Sequence, residues 1–179
     1  MKKPHHDHIG TAFLQLSFAM KLIHFLDEHP IERENFDIAL TYEDGESRVV
    51  LAHNEFVTYQ DLQVAADNNF IICFSAAAIT LWEAIRENSG WSSRKINPEN
   101  SREENLAALS YMIRCCFAHG KAHPVWSIKD PKYKTVYHVG NKDIDLSIIE
   151  DEQPFEYPSI GGFETLWHLK AEAHATGLI

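Results

Sequence analysis

The sequence predicts a mainly α-helical protein: a bundle of about four helices carrying small antiparallel β-hairpin or meander attachments, in a single domain over residues 1–179. Three observations predict it. Apolar residues recur at steps of three and four along four separate stretches. Two shorter stretches switch to period two around Asp44-Gly45 and Gly140-Asn141, both turn dipeptides. No internal repeat and no Gly/Ser or Pro linker divides the chain. Its composition, 45% hydrophobic and 23% charged, is that of a folding domain rather than a disordered one.

Residues 1–8 read as a loose tail. From Ile9 to about His29 the apolar positions Ile9, Ala12, Phe13, Leu16, Ala19, Met20, Ile23 and Leu26 define one helix face. Leu14, Phe18, Leu22 and Phe25 add a second strip, so this helix is expected to be deeply buried or to pack on a partner. Phe36, Ile38, Leu40 and Tyr42 alternate with polar or small residues, and Ser47–Leu51 follows Asp44-Gly45, which predicts a hairpin. Thr58 and Asp61 open a long helix to about residue 88 through a weak capping box. Its middle, Phe70–Leu81, is apolar enough to be the central core helix, with Asn68-Asn69 as a place for a kink. Residues 91–100 form a polar loop. Ser101 caps the next helix with Glu104 three positions on, and Leu106, Leu109, Met112, Ile113 and Cys116 set its apolar face. Gly120 and Pro124 are expected to end it. Val125–Ile128, Thr135–Val139 and Ile144–Ile148 read as a three-stranded meander over residues 125–149. An acidic loop at 150–156 leads to a last helix, Phe163–Ala175.

Sixteen Lys+Arg against 26 Asp+Glu give a net charge of −10, which argues against nucleic-acid binding through a global positive field. No uninterrupted apolar run reaches about 18 residues, so no membrane span is expected. Gln15, Lys21 and His24 make the first helix amphipathic rather than a signal peptide. Three cysteines, two of them adjacent, make no disulfide framework, and a reducing, cytoplasmic compartment is expected. Gly-rich phosphate loops, G-x-S-x-G and H-E-x-x-H are missing, so no cofactor is implied.

The most unusual stretch is Tyr111-Met-Ile-Arg114-Cys-Cys-Phe-Ala-His119-Gly-Lys121-Ala-His123-Pro-Val-Trp126. Arg114 and His119 are five apart. On a straight helix that is about 500°, a divergence of roughly 140°, so they converge only if the helix ends or bends near His119. An Arg/His pair has a clear use. Arg grips phosphate with a two-pronged, permanently charged fork, and His exchanges a proton near neutral pH. Together they suffice for metal-free RNA cleavage, with His119 removing the 2′-OH proton and Arg114 stabilising the charged phosphorane. Lys121 and His123 read as supporting residues. Glu83 reads either as a carboxylate that orients Arg114 or as a plain surface charge. Residues 86–134 hold nine Lys/Arg and five Asp/Glu, so the motif lies in the one basic segment of an acidic chain. Trp91, Tyr111, Trp126 and Tyr133 read either as base-stacking aromatics or as core.

An Arg-x4-His near a helix end, followed by Gly, resembles the hallmark of the HEPN superfamily, R-x(4–6)-H in an all-helical bundle. The phrase IRCCFAHG…HPVW is similar to bacterial HEPN-like proteins with a helical core and a trailing β-hairpin. The resemblance covers Arg114 and His119 alone. It implies an RNA-binding protein, a metal-independent ribonuclease in active members, working as a homodimer with two motifs across one cleft. Other members are inactive binding or dimerisation modules. In active members the residue after Arg is often polar; here it is Cys115.

Alternatives stand beside this reading. Arg114 can pair with Glu83 or Glu104 while His119 caps the helix carbonyls. Cys115, Cys116, His119 and His123 form C-C-x2-H-x3-H, a zinc-type set, although adjacent Cys point about 100° apart on a helix. His5, His6 and His8 can take up metal adventitiously. Cys73 reads as core.

Overall fold

A computed structural model of the chain describes residues 6–31, 36–44, 47–51, 55–93, 95–118 and 123–179. It is mainly α with two small antiparallel two-stranded sheets, as the periodicities predict. The elements are α1 (His6–Glu28), β1 (Leu40–Asp44), β2 (Ser47–Leu51), α2 (Tyr59–Ser89), α3 (Arg102–Cys116), β3 (Val136–Val139), β4 (Lys142–Asp145) and α4 (Thr165–Ala175). Contacts cluster into two compact units, Met1–Gln15 with Ile71–Ile179, and Leu16–Phe70. α1 begins at His6, three residues before the apolar periodicity does, because helical hydrogen bonding needs no apolar face to extend by a turn.

In the larger unit Phe74, Ala77, Ala78, Leu81 and Ile85 of α2 are buried together with Leu106, Leu109, Met112 and Ile113 of α3 and Leu166, Leu169 and Ala173 of α4. Full burial of each large aliphatic or aromatic side chain contributes about 1.5–3 kcal/mol. α3 starts where its cap predicts. Ser101 Oγ accepts the Glu104 N–H at 3.1 Å. Glu104 does not reach back to Ser101; its carboxylate instead accepts from the Asn97 N–H at 2.7 Å and from Asn100 Nδ2 at 3.2 Å, pinning the preceding loop. α3 ends at Cys116, before the expected Gly120. Phe117 caps it, with its N–H on the Arg114 carbonyl at 3.2 Å. The cause is tertiary: Phe117 leaves the helix to pack against Phe74 at 5.6 Å and Phe155 at 5.1 Å.

The expected three-stranded meander is a two-stranded hairpin. β3 and β4 pair with Tyr137 opposite Ile144 and Val139 opposite Lys142, around Gly140 at φ +60°. Val125–Ile128 is no strand. Val125 makes a single bridge to Pro154, and Trp126 exchanges hydrogen bonds with Gln153 and Glu152 at 2.8 Å. Pro154 has no N–H to extend a ladder, and Asp130-Pro131 starts a 3₁₀ turn that carries the chain away. Ile144–Ile148 is likewise cut short, since Asp145 Oδ1 accepts from the Ser147 N–H at 2.8 Å and closes a turn. Asn105 of α3 ties this hairpin down: its Nδ2 donates to the Pro98 carbonyl at 3.1 Å and its Oδ1 accepts the His138 N–H at 2.9 Å.

In the smaller unit Thr58 and Asp61 do form a reciprocal box. The Thr58 N–H donates to Asp61 Oδ2 at 2.6 Å and the Asp61 N–H to Thr58 Oγ1 at 3.2 Å. Leu26, Leu62 and Ala66 are buried, with Leu22, Ile23, Ile31, Phe56 and Tyr59 packed against them, and the Tyr59 hydroxyl donates to the Leu26 carbonyl. β1 and β2 pair in register, Leu40 opposite Leu51 and Asp44 opposite Ser47. The second apolar strip of α1 is not buried. Phe18 is 66% and Phe25 47% exposed, and only Leu22 is half-buried.

By length and composition α1 from His8 and α2 both reach what a membrane span needs, which the test for an uninterrupted apolar run did not signal. A buried core helix meets the same measure, and the buried side chains Phe74, Ala77, Ala78 and Leu81 belong to α2.

Candidate functional site

Arg114 occupies the last turn of α3, where a cation is favoured by the helix dipole. The turn is held rigidly from below by Met112, Ile113 and Cys116, all buried. The Arg114 side chain is half-buried and lines a cavity of about 210 Å³ with Tyr111, Cys115, Ser127, Lys129, Asp130 and Tyr133. Its Nε is buried and has no hydrogen-bond partner among the described residues. Nor does any described carboxylate lie within ion-pair distance of its guanidinium; ion pairs between described residues include Arg48 to Glu43, Arg102 to Glu172, Lys132 to Asp130, His138 to Asp143 and Lys142 to Glu164. The pairing of Arg114 with Glu104 is therefore replaced by the loop-pinning bonds described above. Glu83 is exposed on α2 and lines a different cavity, with His8, Thr80 and Glu87; no hydrogen bond or ion pair joins it to Arg114.

His119 and Lys121 lie outside the described residues. His123 is exposed and lines a second cavity, of about 240 Å³, with Cys116, Trp126, Asp151 and Glu152. Cys115, Ser127 and Lys129 line both cavities, so the two adjoin. Lys129 carries no motif in the sequence. Its only signal there is membership of the basic segment 86–134. In the structure it is exposed and forms no hydrogen bond or ion pair among the described residues.

The acids nearby are largely engaged. Asp130 Oδ1 accepts the Lys132 N–H at 3.2 Å, and its Oδ2 lies 3.5 Å from Lys132 Nζ. Asp151 Oδ1 accepts the Ile128 N–H at 2.9 Å. Arg114 and Lys129 thus line the cavity without a direct ion pair to a described acid, and Asp130 on the same wall is paired with Lys132. Burial pushes the phenols of Tyr111 and Tyr133 up from their ordinary value, with a hydrogen bond to Cys115 adding to the effect at Tyr111, so both stay neutral.

Of the four candidate aromatics, Trp91 and Tyr111 are half-buried and the other two are core. Trp126 is 0% and Tyr133 4% exposed. Tyr111 has Trp82 packed on it at 5.1 Å and Tyr133 at 5.5 Å. The reading of Trp126 and Tyr133 as stacking platforms gives way to their packing. The two cysteines differ as adjacent helix positions must. Cys116 is buried, donates to the Met112 carbonyl at 3.3 Å, and has its thiol pushed up by burial, whereas Cys115 faces the cavities. Among the described residues no three His, Cys, Asp or Glu are placed to hold a metal ion. The zinc-type set includes His119, and the adventitious set includes His5; both lie outside the described residues.

No protein-family model, curated protein or solved structure matches the chain.

Proposed function

We propose that this is an RNA-binding protein of the HEPN-like kind, in which Arg114 grips a backbone phosphate and His119 serves as general acid/base in metal-independent cleavage. The observation that carries the reading is the Arg114 guanidinium. It is presented by a rigid helix end to an open cavity, with no carboxylate partner among the described residues. A structural Arg at this depth ordinarily has its charge paired. A phosphodiester supplies the two acceptor oxygens that its fork lacks.

In the proposed reaction His119 takes the 2′-OH proton and the 2′-oxygen attacks the adjacent phosphorus. The bond to the 5′-oxygen breaks, that oxygen leaves with the proton that His119 returns, and a 2′,3′-cyclic phosphate remains. Arg114 stabilises the extra charge on the phosphorane. α3 ends at Cys116, so the geometry of a continuous helix holds for Arg114 and not beyond Cys116. The same reading has two copies of the chain pairing, and the exposed Phe18 and Phe25 support that.

The test is binding and cleavage of labelled single-stranded RNA. Arg114→Ala is expected to weaken binding about tenfold or more. His119→Ala is expected to keep binding and abolish product. If Arg114→Ala binds as wild type does, the site is misassigned. If His119→Ala cuts at the wild-type rate, the catalytic role is wrong. Binding without turnover in the wild type selects the non-catalytic module, the reading that Cys115 after Arg114 favours.

A further inference from the structure

We infer that the joined cleft takes one guanine nucleotide, with its phosphate at the Arg114 end and the hydrogen-bonding edge of its base at the other, where the Glu152 carboxylate accepts from the base and the Trp126 indole donates to it. This rests on the RNA reading above and adds to it the base that the site selects.

Charge and size orient the ligand. The cleft is bipolar. Arg114 and Lys129 line the cavity of about 210 Å³, where Asp130 is already paired with Lys132. Asp151 and Glu152 line the cavity of about 240 Å³, with His123 and Ser127. A ligand that suits both ends carries negative charge at one and hydrogen-bond donors at the other, as a nucleotide with an amino-bearing base does. Pockets that hold a whole small ligand run from about 300 to 1,000 Å³. Neither cavity alone reaches that size, and the two joined through Cys115, Ser127 and Lys129 do.

Trp126 and Glu152 are neighbours at the acidic end. The Glu152 N–H donates to the Trp126 carbonyl at 2.8 Å, and the Trp126 N–H to the Gln153 carbonyl at 2.8 Å. Trp126 is fully buried and lines this cavity, and its Nε1–H has no acceptor among the described residues. A buried indole N–H ordinarily has one. Asp151 already uses one carboxylate oxygen on the Ile128 N–H at 2.9 Å. Glu152 is exposed, and its carboxylate forms no ion pair or hydrogen bond with a described residue. Its backbone sits at φ +66°, which no other described non-glycine residue shares in sign. Glycine or asparagine fits that conformation better, so local folding does not account for a glutamate there.

The edge of guanine matches this set. It presents O6 as an acceptor, then N1–H and the N2 amino group as donors, side by side. The Trp126 Nε1–H supplies the donor for O6, and the Glu152 carboxylate accepts N1–H and N2–H as a bidentate pair. Adenine and cytosine offer a carboxylate one amino group with an acceptor nitrogen beside it. Uracil offers one N–H between two carbonyls. With each of these, one bond of the pair is lost and a carboxylate oxygen faces a lone pair of the base.

The experiment measures the anisotropy of short labelled oligo(A) RNA strands carrying a single central G, A, C or U, against wild type, Glu152→Gln and Glu152→Gly. Wild type is expected to bind the G strand about tenfold or more tighter than the other three. Glu152→Gln puts an amide N–H where a base donor needs an acceptor and is expected to bring that ratio within about threefold. Glu152→Gly, which suits φ +66°, is expected to do the same while raising the unfolding midpoint. A purely structural Glu152 would move the midpoint and leave the ratio. Guanosine and adenosine monophosphates as competitors separate the two sources of the nucleotide: displacement by the guanosine compound alone shows that the free nucleotide suffices, and displacement by neither assigns a guanine held within a strand. Wild-type affinities within about threefold for all four strands, or a preference for another base, overturn the inference and leave the RNA reading intact. So does a guanine preference that survives both Glu152 substitutions. Guanosine monophosphate bound with no strand bound overturns the RNA reading and keeps the guanine site. Binding of neither overturns both.

Discussion

Replacing Arg114 by methionine is expected to make the free protein more stable while removing its RNA affinity. The structure supplies the magnitude. Arg114 Nε is a buried donor with no partner among the described residues. Leaving such a donor unsatisfied costs about 1–3 kcal/mol. The side chain as a whole is only half-buried and its tip faces an open cavity, so the lower part of that range applies. Methionine keeps a long apolar stem at the cavity wall and brings no donor. The expected gain in unfolding free energy is therefore about 1 kcal/mol, or a rise in Tm of about 2–4 °C for a chain of this size. Urea unfolding followed by the fluorescence of the four tryptophans reads the change, with an unchanged m-value confirming that the native state is the one affected. A site kept for binding at the expense of stability behaves this way. An Arg that holds the fold together does the opposite. Loss of about 1 kcal/mol or more in Arg114→Met would show that the guanidinium has a structural partner and would remove the argument for a phosphate site.

Other outcomes follow from the same geometry. Asn105→Ala removes the bonds to the Pro98 carbonyl and the His138 N–H beside an exposed helix start, so a loss of about 1–2 kcal/mol is expected in chemical denaturation; a loss under about 0.5 kcal/mol would mean the hairpin is held elsewhere. A thiol reagent is expected to modify Cys115 well before the buried Cys116, and saturating RNA to slow the Cys115 reaction, with Cys115→Ser identifying the adjacent sites in peptide mapping; a Cys115 rate indifferent to RNA places the strand outside the cleft. The double substitution Phe18→Glu, Phe25→Glu is expected to convert a dimer into a folded monomer in sedimentation equilibrium, since both rings are exposed and neither belongs to the buried cluster; a wild type that is already monomeric ends the pairing reading.

Much of the fold was legible because it is written in short-range interactions. The Ser101 and Thr58 caps act over three residues, and both begin their helices where the sequence places them. The helix periodicities and the two hairpin turns are equally local. Val125–Ile128 failed for a non-local reason. Period two fits any segment with one buried side, and whether it becomes a strand depends on the N–H groups of its neighbour, here interrupted by Pro154. The end of α3 failed likewise: Gly120 is a good local stop, but Phe117 is drawn out earlier by aromatic rings far along the chain.

By itself the sequence determined the class of the fold, the order and type of its main elements, and the arginine at the end of a well-capped helix, because periodicity, caps and turns act between residues a few positions apart. Only the tertiary structure decided what surrounds that arginine. Whether Arg114 meets a carboxylate, whether Tyr133 and Trp126 are open or packed, and whether Lys129 shares its cavity depend on segments joined through the turn after Cys116 and the return of the chain past Val125. Charge pairing and burial are properties of neighbours in space, and no spacing along the chain encodes them.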